Sequence, residues 1–174
     1  MQIILFNAVI ERKESVKMDM PILYLMVGVP ASGKSTYAKR LMEVSDNSVY
    51  ISRDEIRFSL LGAKDGYFAK EDQVFRTYIS KINEALALGK NVYADATHID
   101  GSSRVKVLRQ VKYPCHKVAI VMLQPLQVCL ERNAKRLGKT RVPDKAVVAM
   151  HRKLTMPTER EGFEQVIKIG SDTI

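Results

Sequence analysis

Tryptophan is missing from this 174-residue chain, and cysteine is nearly so, with only Cys115 and Cys129. Two cysteines so far apart, outside any metal-ligand spacing, exclude a disulfide framework and argue against structural zinc. The three histidines, His98, His116 and His151, supply no i, i+4 pair that would add a metal site. Both cysteines stand among apolar neighbours and are expected as buried free thiols, which suits a reducing cytosol. No segment approaches the ~20 consecutive apolar residues that span a bilayer, so no membrane role is expected. Residues 1–10 are apolar in flavour but lack a basic n-region and a small-residue cleavage site, so the expectation is a soluble, cytoplasmic protein. Internal repeats and low-complexity tracts are absent too, which excludes a solenoid and leaves one compact domain with a sizeable core. Acidic residues are in deficit: 19 Asp and Glu face 28 Lys and Arg, a net charge of +9. Such a surplus favours a polyanionic partner, because cations that neutralise phosphates release counterions. The plainer reading is that several of these cations serve a bound triphosphate.

What is present reads as strands alternating with helices. Residues 22–28 (ILYLMVG) form a continuous apolar run, as expected of a strand buried on both faces of a parallel sheet. Residues 34–44 have helical content, and 48–52 (SVYIS) suit a short strand. Residues 71–88 carry Val74, Tyr78, Ile82, Ala85 and Leu86 at helical spacing, with Gly89 as the stop. Residues 91–96, 117–123 and 164–169 read as strands, and 102–111, 126–137 and 143–154 as helices, with a basic loop over 138–142. Pro143 is placed to open the last helix. The pattern predicts a doubly wound α/β fold with a five-stranded parallel sheet over residues 21–174. Residues 1–20 stand outside it as an extension, with a possible edge strand over 3–10 and a charged linker over 11–20.

The stretch Gly28-Val29-Pro30-Ala31-Ser32-Gly33-Lys34-Ser35, followed by Thr36, matches GxxxxGK[ST] between a buried strand and a helix. Gly28 and Gly33 let the backbone turn tightly enough for its N–H groups to converge on phosphate oxygens. The following helix turns its N-terminal amides and positive dipole end toward the same anion. Lys34 brings a point charge to the β- and γ-phosphates, and the Ser35 hydroxyl can ligate Mg²⁺. A bound nucleoside triphosphate, ATP or another, with Mg²⁺ is therefore expected.

Three further blocks fall at the ends of later strands, where an open parallel sheet borders its ligand crevice. In Ser52-Arg53-Asp54-Glu55-Ile56-Arg57, Asp54 can take a hydroxyl proton from an acceptor, and Arg57 at i+3 can hold an anionic group. The alternative is that Asp54 is an acidic helix cap and Arg57 a solvated arginine. Asp95 ends an apolar strand, where a carboxylate is costly without a partner; Mg²⁺, its bound water or Ser35 would supply one. Thr97 reads as a local hydrogen-bonder and His98 as structural or exposed. Arg132 and Arg136 lie at i, i+4 in the most basic stretch and read as one helical face of a mobile arginine lid.

These blocks, GVPASGKST, SRDEIR, ADAT and RNAKRLGKTRVP, together resemble the P-loop 5′-hydroxyl polynucleotide kinases, including the kinase domain of the phage kinase–phosphatase and related small AAA-type kinases. The resemblance runs from about Pro21 to Ile169 and implies the P-loop kinase fold with an arginine-bearing lid. It also implies that Asp54 is the general base and that Arg57 contacts the acceptor phosphate. Asp95 would support the serine and metal, and Arg136, with Arg132 one turn earlier, would contact the donor phosphates. Two departures stand out: Ala31 occupies a position that is usually glycine, and Thr97 stands where the phage enzyme has asparagine. The phosphatase signature is missing, so no 3′-phosphatase activity is expected. The expectation is a kinase acting on DNA or RNA 5′-hydroxyl ends. The alternatives are a small-molecule kinase for a sugar, nucleoside or antibiotic, and a nucleotide-binding module without catalysis.

Overall fold

The computed structural model describes residues 20–170; the extension and its possible edge strand, over residues 1–19, and residues 171–174 lie outside the described residues. Five strands carry the fold: β1 (Ile22–Val27), β2 (Ser48–Ser52), β3 (Asn91–Asp95), β4 (His116–Met122) and β5 (Gln165–Ile169). All pair in parallel, in the order β2-β3-β1-β4-β5. The helices are α1 (Lys34–Glu43), α2 (Arg53–Leu60), α3 (Glu71–Ala87), α4 (Gly101–Leu108), α5 (Leu126–Ala134) and α6 (Asp144–Lys153). None of the described helices is long and apolar enough to cross a membrane.

The two-residue period of the strands divides the core in two. Leu23, Leu25 and Val27 of β1 face a cluster with Ile56 of α2, Val74 and Tyr78 of α3, and Val107 of α4. Tyr24 and Met26 face the other side, where Ala38 and Leu41 of α1 cover them with Ile120 and Met122 of β4. Tyr24 stacks on Tyr93 of β3 there, with ring centroids 4.6 Å apart. A sheet covered on both faces explains why β1 and β4 read as unbroken apolar runs.

Register then places the chemistry. Met26 is level with Asp95, and Asp95 with Ser52, so the ends of three neighbouring strands open onto one edge. The strand order changes direction at β1, and the loop that follows β1 emerges at that switch point.

Several predicted boundaries move, each for a visible reason. The SRDEIR block is a full helix, α2, and its cap is Ser52, whose Oγ accepts from the Glu55 N–H at 3.2 Å; Asp54 lies inside the first turn. α4 ends at Leu108 rather than 111, because buried Asn83 of α3 captures the chain. Its amide donates to the Gln110 carbonyl at 3.0 Å and accepts from the Lys112 N–H at 2.8 Å. α5 ends at Ala134, not 137, so Arg132 and Arg136 do not share one continuous helical face. Arg136 sits in the turn beyond, its N–H bonded to the Asn133 carbonyl. Asn133 is the cause: its side chain accepts from the Val142 N–H at 3.1 Å and donates to the Val142 carbonyl at 2.6 Å, tying together the ends of the basic loop. Pro143 caps α6 instead of occupying its first turn.

Ala31 has φ 64°, a left-handed conformation that a Cβ disfavours by roughly 1–2 kcal/mol. Ala31→Gly is therefore expected to stabilise the fold by about 0.5–1 kcal/mol, after allowing for glycine's greater unfolded-state entropy. The urea midpoint of the variant checks this.

Candidate active site

The loop after β1 wraps so closely that Gly28 tolerates no side chain: an added Cβ would lie 2.8 Å from Ser32 Oγ and 3.2 Å from the Met122 carbonyl oxygen. Gly33, at φ 95°, has room but requires the left-handed conformation as it leads into α1. A methyl added there would sit 3.8 Å from Arg132 Nη1, so the α5 arginine overhangs the loop. Lys34 is buried and donates to the Val29 carbonyl at 3.0 Å. Burial lowers its pKa from the ordinary ammonium value, opposed by Asp95 and then Asp54, while Arg136 adds to the lowering. Three of the sequence-derived residues, Asp95, Asp54 and Arg136, therefore act on the Lys34 charge.

Ser35 and Asp95 meet directly: the hydroxyl donates to Asp95 Oδ2 at 2.5 Å. Tyr50 of β2 donates to the same oxygen at 2.5 Å. Sequence reasoning missed Tyr50, although the alternation in SVYIS puts it on the same strand face as Ser52, level with the end of β3. Asp95 Oδ1 is buried without a partner among the described residues. Carboxylate and hydroxyl oxygens suit a hard cation, and Mg²⁺ takes one or two protein oxygens beside substrate phosphates, so this pair fits Mg²⁺.

Asp54 and Arg57 are partners across one turn of α2. The Asp54 side chain is 63% exposed, and its Oδ1 accepts from Arg57 Nη1 and, at 2.8 Å, from the Tyr67 hydroxyl. Arg57 is only 6% exposed at its side chain; Nη2 donates to Glu71 at 2.8 Å, and Nη1 to Tyr67 Oη at 2.9 Å. Burial and the Asp54 charge push the Tyr67 phenol up to about 12. Burial works to raise the Glu71 pKa, but Arg57 and Arg53 outweigh it and hold the carboxyl below its usual range. Arg57 is thus a buried hub, not a solvated arginine. Glu71 and Tyr67 had no motif to mark them, and Arg53, which also bonds Glu71, lay inside the SRDEIR block without being given a role.

His98, left out of the sequence-derived site, is buried at φ 44°, and its Nδ1 lies 2.9 Å from the Met26 carbonyl oxygen. A buried histidine bonded to a carbonyl is structural. Burial pushes its pKa down to about 4, with the Met26 carbonyl and Asp95 opposing. Protonation then favours the unfolded chain, so its contribution is fully present above pH 6.5 and is lost as pH falls toward 4. His98→Asn, which tolerates the backbone angle, should remove this dependence. The stability advantage of the native histidine over the variant is expected to shrink by about 3 kcal/mol between pH 7 and pH 4, as read by denaturant titrations.

Beside the phosphate loop, Val29, Met122, Gln124, His151 and Leu154 border a cleft of about 440 Å³. A larger groove, about 690 Å³, runs along α3 by Ile79, Leu88 and Tyr113, away from this chemistry.

Comparisons with known proteins bear on the fold and the family. The chain is 26% identical over 167 residues to transcription factor bHLH140 of Arabidopsis thaliana, covering 91% of this chain and 17% of that protein. It is 26% identical over 163 residues to a putative bifunctional polynucleotide kinase/RNA ligase of Autographa californica nuclear polyhedrosis virus, covering 85% and 22%. To L-seryl-tRNA(Sec) kinase of Methanococcus maripaludis it is 28% identical over 149 residues, covering 82% and 56%. The chain thus spans a fifth or less to about half of the length of these relatives. Among solved structures, the Pnkp1/Rnl/Hen1 RNA repair complex holds a chain with TM-score 0.71 and 25% identity, covering 82% of this chain and 46% of that one. A gluconokinase from Sinorhizobium meliloti 1021, at TM-score 0.56 and 19% identity, covers 89% and 84% and shares the fold. Residues 23–157 match the AAA_33 family, described as an AAA domain. The chain belongs to that family and is a P-loop kinase domain.

Proposed function

We propose that this chain transfers the γ-phosphoryl group of ATP to the 5′-hydroxyl end of a polynucleotide, with Asp54 as general base. The observation that carries this reading is the Asp54 carboxylate. It is exposed in the first turn of α2, near enough to Lys34 to act on its charge, with Oδ1 held by Arg57 and Tyr67 and Oδ2 without a partner among the described residues. A carboxylate fixed through one oxygen and open at the other is arranged to accept a proton. The similarity to the viral polynucleotide kinase/RNA ligase and to a chain of an RNA repair complex supports a nucleic-acid acceptor, as does the net charge of +9.

In this reading the backbone N–H groups of the loop, with Gly28 and Gly33 at its bends and Ser35 and Thr36 opening α1, hold the donor phosphates. Lys34, Arg132 and Arg136 neutralise the charge that gathers on them. The cleft beside Val29 is of a size for the donor's nucleoside. Ser35 and Asp95 would hold Mg²⁺, which when bound shields the phosphates from the incoming oxygen. Asp54 Oδ2 takes the proton of the acceptor hydroxyl as its oxygen bonds to the γ-phosphorus, and the bond from that phosphorus to ADP breaks. Arg57, buried and already bonded through both Nη atoms, holds Asp54 in place and lends its positive charge to the acceptor's neighbouring phosphate.

The test is one assay: γ-labelled ATP and Mg²⁺ with 5′-hydroxyl DNA and RNA oligonucleotides, beside nucleosides and sugars. Label on an oligonucleotide, falling steeply with salt, is the expected result. Label confined to sugars or nucleosides would replace the acceptor with a small molecule, and nucleotide binding with no labelled product would leave a binding module.

A further inference from the structure

Ten residues join α2 to α3, and they carry Tyr67, whose hydroxyl is bonded to Asp54, and Phe68 beside it. The Tyr67 ring lies under Arg57, whose Cζ is 4.4 Å from its centroid. Phe68 meets Tyr67 edge-on, with centroids 4.8 Å apart at 83°, and its own centroid is 5.9 Å from Arg57 Cζ. Phe58 of α2 also meets Tyr67 edge-on, with centroids 6.2 Å apart. Phe68 is nonetheless 71% exposed. A single exposed apolar residue is ordinary. This one differs because its orientation is set by a tyrosine whose hydroxyl is bonded to Asp54 and by the arginine that shares that carboxylate.

Asp65, in the same connecting segment, has its carboxyl held below the usual range by the Gly62 amide and Lys70, and Lys139 of the basic loop adds to this. Asp65 accepts from the Gly62 N–H at 2.8 Å and pairs with Lys70 at 3.2 Å, which ties the connection back on itself.

Resting on the proposed polynucleotide acceptor, we infer that Phe68 is a stacking platform for the 5′-terminal nucleobase of that acceptor. A hydroxyl presented to Asp54 with its adjoining phosphate near Arg57 leaves the base of the same nucleotide as the apolar, planar group still to be placed. Stacking on an aromatic face is the usual way to bind an unpaired base, tolerates any base, and gains from a nearby guanidinium. The site then selects a single-stranded or frayed end, because a base paired in a duplex does not offer its face.

The experiment crosses two changes. The wild type and Phe68→Leu are each assayed on a single-stranded 5′-hydroxyl oligonucleotide and on the same oligonucleotide with an abasic 5′-terminal residue that keeps its hydroxyl and phosphate. The exposed position leaves folding intact, which thermal melts confirm. Expected is a rise in KM of about tenfold for Phe68→Leu on the intact oligonucleotide, with kcat little changed. The wild type should show a similar rise on the abasic end, and the two losses should not add, since each removes the same contact. Phe68→Trp should restore the low KM. Equal KM values for intact and abasic ends in the wild type would overturn the stacking subsite while leaving the polynucleotide kinase standing. So would losses that add in full. Failure of the wild type to label either oligonucleotide, alongside labelling of a sugar or nucleoside, would remove the acceptor reading and this subsite together.

Discussion

Asp54→Ala is expected to slow phosphoryl transfer by about 10²–10⁴-fold, the range for loss of a positioned proton acceptor, while ATP affinity stays close to wild type. The separation follows from geometry. Asp54 touches Arg57 and Tyr67, and no hydrogen bond joins it to the loop that carries Lys34. Its influence on that lysine is Coulombic alone. Arg57 keeps Glu71 and Tyr67 as partners in the variant, so α2 should stay folded. Single-turnover transfer measured beside calorimetric ATP binding checks both halves. Transfer at near wild-type rate would move the base elsewhere, and a parallel collapse of ATP binding would make Asp54 a donor-side residue.

Arg104→Ala should cost about 3–5 kcal/mol of stability, which in a domain holding roughly 5–15 kcal/mol threatens folding itself. Arg104 is fully buried in α4. Its Nε and Nη2 donate to Glu161 at 2.6 and 2.9 Å, and Nη1 donates to the carbonyls of His98 and Thr155 at 3.0 Å each. One guanidinium thus ties the segment after β3, the chain beyond α6 and the turn at Glu159–Glu161. Removing it strands the Glu161 carboxylate, whose side chain is 13% exposed, and takes a donor from the carbonyls of His98, Thr155 and Met156. Urea unfolding reads the loss. A double variant, Arg104→Met with Glu161→Leu, should recover part of it, because no unpaired charge remains. If the single variant melts like the wild type, the clamp carries no weight.

How much of this could be read in advance depends on the range of the interaction. The phosphate loop was legible because each part of its function needs a residue type at a fixed local spacing: Gly28 for a turn without a Cβ, Lys34 for charge, Ser35 for a hydroxyl. The centre of the sheet was legible because burial on both faces leaves β1 and β4 as unbroken apolar runs, while the edge strands β2 and β5 showed as short, partly apolar segments beside helices. The Ser35–Asp95 contact, 60 residues apart, was reachable through the rule that strand ends border the crevice. Tyr50 was reachable by the alternation of β2 but was passed over, whereas Glu71 and Tyr67 were not, because their pairing with α2 leaves no local pattern. Arg104 was hidden for a plainer reason: an arginine in a polar helix reads as solvated, and its burial depends on carbonyls contributed from 51 residues away. The end of α5 was misplaced because residues 135–137 favour a helix on their own, and only the Asn133 contacts with Val142 pull the chain away.

A serine O–H has one hydrogen and two lone pairs, and at Ser35 the hydrogen already points inward to Asp95. What the oxygen shows the crevice is therefore electron density. In that orientation it repels a bare phosphate oxygen and attracts a positive ion, so the loop is chemically two-sided, amides for the anion and this lone-pair face for its counter-cation. Tyr50, by donating to the same carboxylate oxygen, limits how far Asp95 can turn and so keeps the hydroxyl polarised in one direction.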